Sequence, residues 1–591
     1  MADVLRIANC SGFYGDRLSA AREMVEGGPI DVLTGDYLAE LTLLILWKMK
    51  QKDSDLGYAR TFLTQMEEVL GACLDKGIKI VTNAGGLNPA ALAVRMRALA
   101  DGLGLQASIA HIEGDDVLAK LPELQAGGEK LAHLDTGVSL AESGVQPIAA
   151  NAYLGAWGIV EALTGGADVV ICPRVTDASV VVGPFAWHFG WSRTDWDRLA
   201  SSVVAGHILE CGAQATGGNY SFFQEVPGLA HPGFPIAEMH EDGTFVVTKH
   251  EGTGGLVSVG TVTAQLLYEI SSERYLNPDV VARFDTIQLE QEGPDRVAVS
   301  GVRGEPAPDT TKVCINYLGG FRNTMTFVLT GLDIEEKAKL AEETLLSELG
   351  GRGQFDEVTV RLIRSDREDP ATNEEAGAQL RITVKSKDAN KVGRAFSGKV
   401  VEMALANYPG FHTAGGLSSE NAFGVYWPAL VPAAAIDEVV VTHDGDRIPI
   451  EHPTPADRTT VDAPAPPAIE PPGGPTKRLP LGAAFGARSG DKGGNANVGV
   501  WARSDAGYAW LAEYLTVERF KQLISEARDL EVERYELPNI RALNFVIAGL
   551  LGEGVAASTR PDPQAKSLGE YLRAKLVDLP EALLADAPNR R

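Results

Sequence analysis

Positive charge is in short supply in this 591-residue chain: 53 Lys and Arg stand against 79 Asp and Glu, a formal net charge of −26. A surface that grips nucleic acid through its phosphates must be basic. DNA and RNA are therefore excluded as partners, and an anionic small ligand would need a local cationic pocket set against the global field. Cysteine is rare too. The five residues Cys10, Cys73, Cys172, Cys211 and Cys314 are odd in number and form no CxxC pair, which speaks against a disulfide framework and a thiolate zinc site. Long apolar runs are missing: Leu41–Trp47 is the longest, far short of the ~20 residues that span a bilayer, so no membrane partner is expected. The opening MADVLRIANC has no basic stretch ahead of an apolar one, so no signal peptide is read and the expected location is the cytoplasm. There is no HExxH, no GxSxG, no GxGxxG after the first strand and no metal-spaced histidine cluster. No metal site is assigned and no cofactor is expected.

What the chain does have is length, alternation and glycine. A single core stops growing at roughly 250–300 residues, so more than one domain is expected. The first 110 residues alternate strand and helix: VLRIA at Val4–Ala8, a helix over Arg17–Glu26, DVLT at Asp31–Thr34, helices after Gly35 and over Ala59–Leu74, IKIVT at Ile78–Thr82, a helix opened by Asn88-Pro89, and a strand over Leu105–Ile112. ADVVIC at Ala167–Cys172 continues the series. This order predicts an α/β fold: a large domain whose mostly parallel sheet is flanked by helices. After Gly260 the pattern is less regular, with strands expected at Arg296–Val299, Thr311–Asn316, Thr326–Leu329 and Gln379–Val384, and helices at Glu335–Leu349 and Asp388–Asn407. APAPPAIEPPGGP at Ala463–Pro475 is the clearest linker. The expected organisation is a large domain over 1–455 with a subdivision near 265, a Pro-rich linker over 456–477, and a small C-terminal α+β domain of ferredoxin-like type over 478–591.

Ligands of open parallel sheets bind at the carboxyl ends of the strands, and four polar loops fall there. They are Asn9-Cys10-Ser11-Gly12-Phe13-Tyr14-Gly15-Asp16-Arg17, Thr34-Gly35-Asp36, Thr82-Asn83-Ala84-Gly85-Gly86-Leu87-Asn88-Pro89, and Pro173-Arg174-Val175-Thr176-Asp177. Any one alone is ordinary turn chemistry; four on one edge point to a ligand site. Asp16, Asp36 and Asp177 are candidate bases, and Arg174 a candidate for stabilising a developing anion. Asn9, Ser11, Gly12, Arg17, Asn83, Gly85, Gly86, Asn88 and Thr176 are candidate substrate contacts, as is Asn219 in the loop after Gly212. His250 and Glu251 are a candidate acid–base pair, although neighbours on a strand point to opposite faces. Cys211, four residues after His207, reads either as a nucleophile or as a small buried side chain. Asp36 and Glu40, spaced i and i+4, are compatible with a divalent cation or with a solvated acidic pair. In the tail, Ala487–Asn497 packs Arg488, Asp491 and Lys492 into a Gly-rich loop without the spacing of a phosphate loop; Asp491 and Lys492 are candidate ligand contacts or solvated turn charges.

The strings NCSGFYGDR (Asn9–Arg17), LTGDYLAE (Leu33–Glu40), TNAGGLNP (Thr82–Pro89), CPRVTD (Cys172–Asp177), the Gly212–Asn219 loop and Ala487–Asn497 resemble the acyclic terpene utilisation (AtuA) family over nearly the whole chain. The resemblance implies a ferredoxin-like tail and a setting in the catabolism of branched acyclic terpenoids, where acyl-CoA esters are carboxylated, hydrated and cleaved. The expectation it supports is an enzyme of acyclic terpenoid or branched-chain acyl-CoA catabolism: a lyase or hydro-lyase on an anionic hydroxyacyl-CoA or hydroxy acid, with CoA as part of the substrate, in a homo-oligomer. The alternatives are a non-catalytic partner or regulatory subunit of an acyl-CoA carboxylase system, and an acyl-CoA binding module.

Overall fold

The computed structural model describes residues 4–452, 460–463 and 469–584. Of the expected linker, 456–459 and 464–468 lie outside the described residues. The chain divides into two compact units: residues 1–315, 426–555 and 564–591 form one, and 316–425 with 556–563 the other.

The first unit is built on an eleven-stranded sheet. Its strands are β1 (Val4–Asn9), β2 (Val32–Gly35), β3 (Lys79–Thr82), β4 (Ile109–Glu113), β5 (Val169–Ile171), β6 (Ile236–His240), β7 (Phe245–Thr248), β8 (Gln288–Gly293), β9 (Arg296–Ser300), β10 (Val439–Val441) and β11 (Arg447–Pro449). They run in the order β8-β9-β7-β6-β1-β2-β3-β5-β4-β10-β11. The centre, β1-β2-β3-β5-β4, is parallel, and every junction outside it is antiparallel. The expectation of a mostly parallel sheet is thus corrected: the sheet is mixed. The reason lies in the connections. The central strands are joined by helical crossovers, whereas β6 and β7 are joined by a tight turn closed by Gly243 N to His240 O at 3.0 Å, and so short a link permits only antiparallel pairing.

Helices α1 (Ala20–Gly27), α2 (Glu40–Lys52), α3 (Arg60–Lys76) and α4 (Pro89–Gly102) follow the first three strands. Met24, Phe62, Met66, Leu70, Leu92 and Met96, from three of these helices, pack against Ile80, Ile109 and Val169 of the sheet. Farther along come α5 (Trp157–Thr164), α6 (Ser179–Phe189), α7 (Trp196–Leu209) and α8 (Val259–Leu266). Nearly every residue of α6 and α7 is buried, which is why their sequences are apolar all round rather than striped.

The tail, apart from 556–563, belongs to this first unit. Its strands β12 (Phe485–Lys492), β13 (Asn495–Ala502), β14 (Val532–Leu537) and β15 (Ala542–Ile547) form an antiparallel sheet in the order β12-β13-β15-β14. Helix α9 (Asp505–Tyr514) follows β13 and α10 (Leu568–Arg573) follows β15. Started at β13, the order strand-helix-strand-strand-helix is that of a ferredoxin-like fold, with the last strand moved to the front as β12. A separate two-stranded ladder, Thr476–Pro480 with Leu576–Pro580, joins the two ends of the domain. Ala487–Asn497, expected as a loop, is mostly strand: only Gly493-Gly494 interrupt the hairpin.

The second unit has an antiparallel sheet containing Glu357–Arg364, Gly377–Ser386 and His412–Thr413, all tied to the strand Thr310–Thr330 or its neighbour. Phe327, Leu380 and Ile382 lie in its core with Phe396 of Arg394–Glu402 and Ile334 and Leu345 of Ile334–Glu348. Two strands expected at Thr311–Asn316 and Thr326–Leu329 are one, because unbroken pairing of Phe321–Thr330 with Gly377–Ser386 carries the polar stretch between them.

Candidate functional site

Parallel pairing places the carboxyl ends of β1, β2, β3 and β5 side by side. The four polar loops therefore share one edge, and they divide into a structural set and an ionisable set.

The first loop is largely self-bonded. Asp16 accepts from Gly12 N at 2.8 Å and Arg17 N at 2.7 Å. Arg17 donates to Glu23 at 2.8 Å and Pro232 O at 2.7 Å, and Ser11 Oγ donates to Phe13 O at 3.0 Å. Asn9 reaches across to the carbonyls of Leu209 and Glu210 at the end of α7. Gly12 is required there: a Cβ would stand 2.7 Å from the Cys211 carbonyl carbon. In the third loop, Gly85 N and Gly86 N bond Cys172 O and Asn83 O, and Asn88 caps α4. Asn219 is exposed, with φ +57°. Thr176 meets Ser179 and Asn277. His250 is buried against α1, with Nε2 2.9 Å from Met24 O; Glu251 is exposed, so the two side chains do not meet as a pair.

The ionisable set lies at the ends of β2 and β5. Asp36 is buried and accepts from Asn83 Nδ2 and from Leu38 N at 3.1 Å. Arg174 is 2% exposed and donates to Asp177 at 2.8 Å, its guanidinium 4.2 Å from the Tyr153 ring centroid. Asp177 keeps about a third of its side chain exposed (32%), which makes it the reachable carboxyl of the two. Burial pushes Asp36 well above the ordinary carboxylate range, and the charge of Asp177 adds to the push. Asp177 is also raised by desolvation, against the pull of Arg174. Glu40, at the start of α2, behaves oppositely. Burial alone would raise it, but Lys312, Arg174 and the Tyr153 hydroxyl outweigh burial and hold it at about 2. Tyr153 Oη lies 2.7 Å from Glu40 and Lys312 Nζ 3.5 Å from it. Glu40 thus pairs with Lys312, not with Asp36. Among the described residues no three His, Cys, Asp or Glu converge as a metal cage.

A second group adjoins the first. His207 Nδ1 is 3.0 Å from Glu210 Oε1. Burial, with the charge of Lys492, lowers His207 to about 4, while burial and Asp177 raise Glu210 well above the ordinary range. Both shifts favour the uncharged form of each group. Burial also pushes the Cys211 thiol far up, which supports a packing role for Cys211 over a nucleophilic one. The tail brings Asp491 and Lys492 to the same place. Burial raises Asp491, with Glu269 and Glu40 adding to it; burial and Lys312 lower Lys492. Of the candidates read from sequence, the structure unites Asp36, Arg174, Asp177, Asp491 and Lys492, leaving Asp16, His250 and Glu251 apart. Tyr153, Gln265, Glu269 and Lys312 carried no motif. Lys312 had one cue, a cation inside the apolar strand segment TTKVCIN.

Buried polar atoms are nearly always satisfied. Here Arg174 Nε, His207 Nε2, Glu210 Oε2 and Gln265 Oε1 lack a hydrogen-bond partner among the described residues. These atoms belong to residues of the ionisable group, although orphaned atoms also occur elsewhere in the chain, as at Arg97 and Ser397.

A mixed α/β body with a proton-rich polar centre and a ferredoxin-like tail defines the class of protein. The profile described as acyclic terpene utilisation family protein AtuA matches residues 5–442, and that of the AtuA ferredoxin-like domain matches 479–578. The chain belongs to the AtuA family of acyclic terpene utilisation. Comparison with curated proteins gave no match. Among the described residues no helix is long and apolar enough to cross a membrane.

Proposed function

We propose that this protein is an enzyme of acyclic terpenoid or branched-chain acyl-CoA catabolism, a lyase acting on a hydroxyacyl-CoA. The observation that carries the reading is the Asp36–Asp177 pair bracketed by Arg174. Burial raises both carboxyls, and the reachable one, Asp177, is held by Arg174 while Asp36 is enclosed, which suits them to the roles of base and acid. Asp177, the more exposed and held by Arg174, is the base. It takes the proton of the substrate hydroxyl; the carbon–carbon bond breaks as the hydroxyl carbon becomes a carbonyl, and the electron pair moves into the thioester enolate. Arg174 and Lys312 are the cations for that oxyanion. Asp36 holds a proton behind Asp177, which returns a proton to the enolate carbon. Dehydration uses the same pair, with the proton taken from the α-carbon and the hydroxyl leaving as water.

The test is a melting-point screen with CoA, acyl-CoAs and branched 3-hydroxyacyl-CoAs, followed by mass spectrometry of the thioester products. A ligand at 100 times its Kd adds about 2.7 kcal/mol of stability. A hydroxyacyl-CoA is expected to raise the melting point and to be consumed; Asp177→Asn should keep the shift and lose at least ~100-fold in turnover. If no CoA ester and no hydroxy acid moves the melting point, the lyase reading fails. A binding module without catalysis predicts the shift without turnover in the parent protein.

A further inference from the structure

We infer that the C-terminal domain supplies a working residue to the centre: Lys492, on the β12–β13 hairpin, is a third cation that holds an anionic oxygen of the substrate. The inference rests on reading the centre as a substrate site.

The hairpin is seated on the segment after α8 largely by amides, with the Arg488 guanidinium 4.3 Å from the Tyr268 ring centroid. Asn497, fully buried, accepts from Glu269 N at 3.0 Å and donates to Leu267 O and Asn544 Oδ1, both at 2.8 Å. Asn544 donates to Ile270 O and Ser271 O at 3.2 and 2.6 Å. Gly490 lets the strand come this close, since a Cβ there would meet the Tyr268 ring at 2.5 Å. Docking of the domain therefore has several anchors besides position 492.

Lys492 nevertheless places an ammonium there. Its single hydrogen bond runs to Glu269 O at 2.8 Å, with the Tyr275 ring 5.9 Å away. Among the described residues it makes no ion pair, although an ammonium has three donors. Around it stand ionisable groups from four other parts of the chain: Glu40 on α2, Lys312, Glu210 after α7, and Glu269. His207 on α7 feels its charge as well. Gln265, whose Oε1 is orphaned, lies on α8, which packs against the hairpin, and its Nε2 donates to His207 O at 3.0 Å. Glu269 itself sits at φ +57°, a left-handed conformation that a non-glycine residue adopts under constraint. A half-buried cation without an ion pair among the described residues, close to orphaned polar atoms and beside a strained residue, is a ligand contact rather than a strut.

Two measurements on the full-length protein decide the matter. In the first, lysines are reductively methylated with 13C-formaldehyde and their signals followed against pH, with Lys492 identified by loss of its signal in Lys492→Arg. Lys492 should titrate below the bulk of the lysine signals, and its midpoint should rise in Lys312→Met. A Lys492 that titrates with the surface lysines and ignores Lys312→Met overturns the inference, whatever CoA esters do. In the second, Lys492→Met should melt near the parent without ligand while its Kd for 3-hydroxybutyryl-CoA weakens at least ~10-fold, as loss of a charge-assisted hydrogen bond predicts. An unchanged Kd, or a large fall in unliganded melting point with Kd unchanged, makes Lys492 a strut and overturns the inference. A parent protein indifferent to the thioester sinks the lyase reading instead, and the titration still decides Lys492.

Discussion

Asp115, Asp279 and Glu438 show how this chain spends burial on carboxyls outside the centre. Asp279 and Glu438 accept from Ala156 N at 2.9 Å and Gly158 N at 3.1 Å at the N-terminus of α5, and Asp115 accepts from Asn151 at 2.7 Å. Burial nevertheless pushes them to about 6, about 8 and about 7 respectively. Between the unfolded and folded values, the folded state keeps a proton that the unfolded chain has released. Stability therefore falls as pH rises, by about 1.4 kcal/mol per pH unit for each group. His207 works the other way, but only below 6.5, where the unfolded imidazole gains a proton that the folded one refuses. From pH 6.5 to 8 the slope is thus downward, and Asp36, Glu210 and Asp491 act in the same direction. Melting curves should show a falling melting point over that range, and Glu438→Gln should flatten it. A melting point that is level or rising from pH 6.5 to 8 would contradict the assignment.

At the scale of elements, the hairpin β12–β13 is the informative one. Asn497→Ala removes three hydrogen bonds at a fully buried position, leaving Glu269 N and Leu267 O to find other partners. Urea unfolding should show a loss of about 1–3 kcal/mol, whereas Asn495→Ala, at the more exposed turn, should cost less. The hairpin also shows what sequence could and could not tell. The strand–helix alternation up to Ala167–Cys172 was legible because each strand ends in an Asx- or Gly-rich turn, and those turns put Asp36, Arg174 and Asp177 on one edge. The antiparallel flanks were not, because periodicity does not reveal which strands pair. Nor were Tyr153, Gln265, Glu269 and Lys312, whose roles come from neighbours more than a hundred residues away or from burial alone. Asp16 was misleadingly similar to Asp36: both follow a buried strand, but one carboxylate closes its own turn and the other faces a neighbouring loop.

For the whole molecule, the formal charge of −26 sets a global repulsion on which the local cations Arg174, Lys312 and Lys492 are superimposed. Screening weakens the repulsion between exposed carboxylates far more than it weakens buried pairs. Raising NaCl from roughly 0.01 M, where the Debye length is about 30 Å, to roughly 0.15 M, where it is about 8 Å, should therefore raise the melting point; a fall would mean that surface ion pairs such as Arg503–Glu225 outweigh the net charge. One more consequence follows from the ladder between Thr476–Pro480 and Leu576–Pro580. It fastens the start of the ferredoxin-like domain to its finish, so the module is topologically a closed ring. A closed ring can be transplanted by a single gene fusion and re-cut at another turn without unthreading, so a version that begins at Asn495 and carries Phe485–Lys492 at its far end should fold to the same sheet.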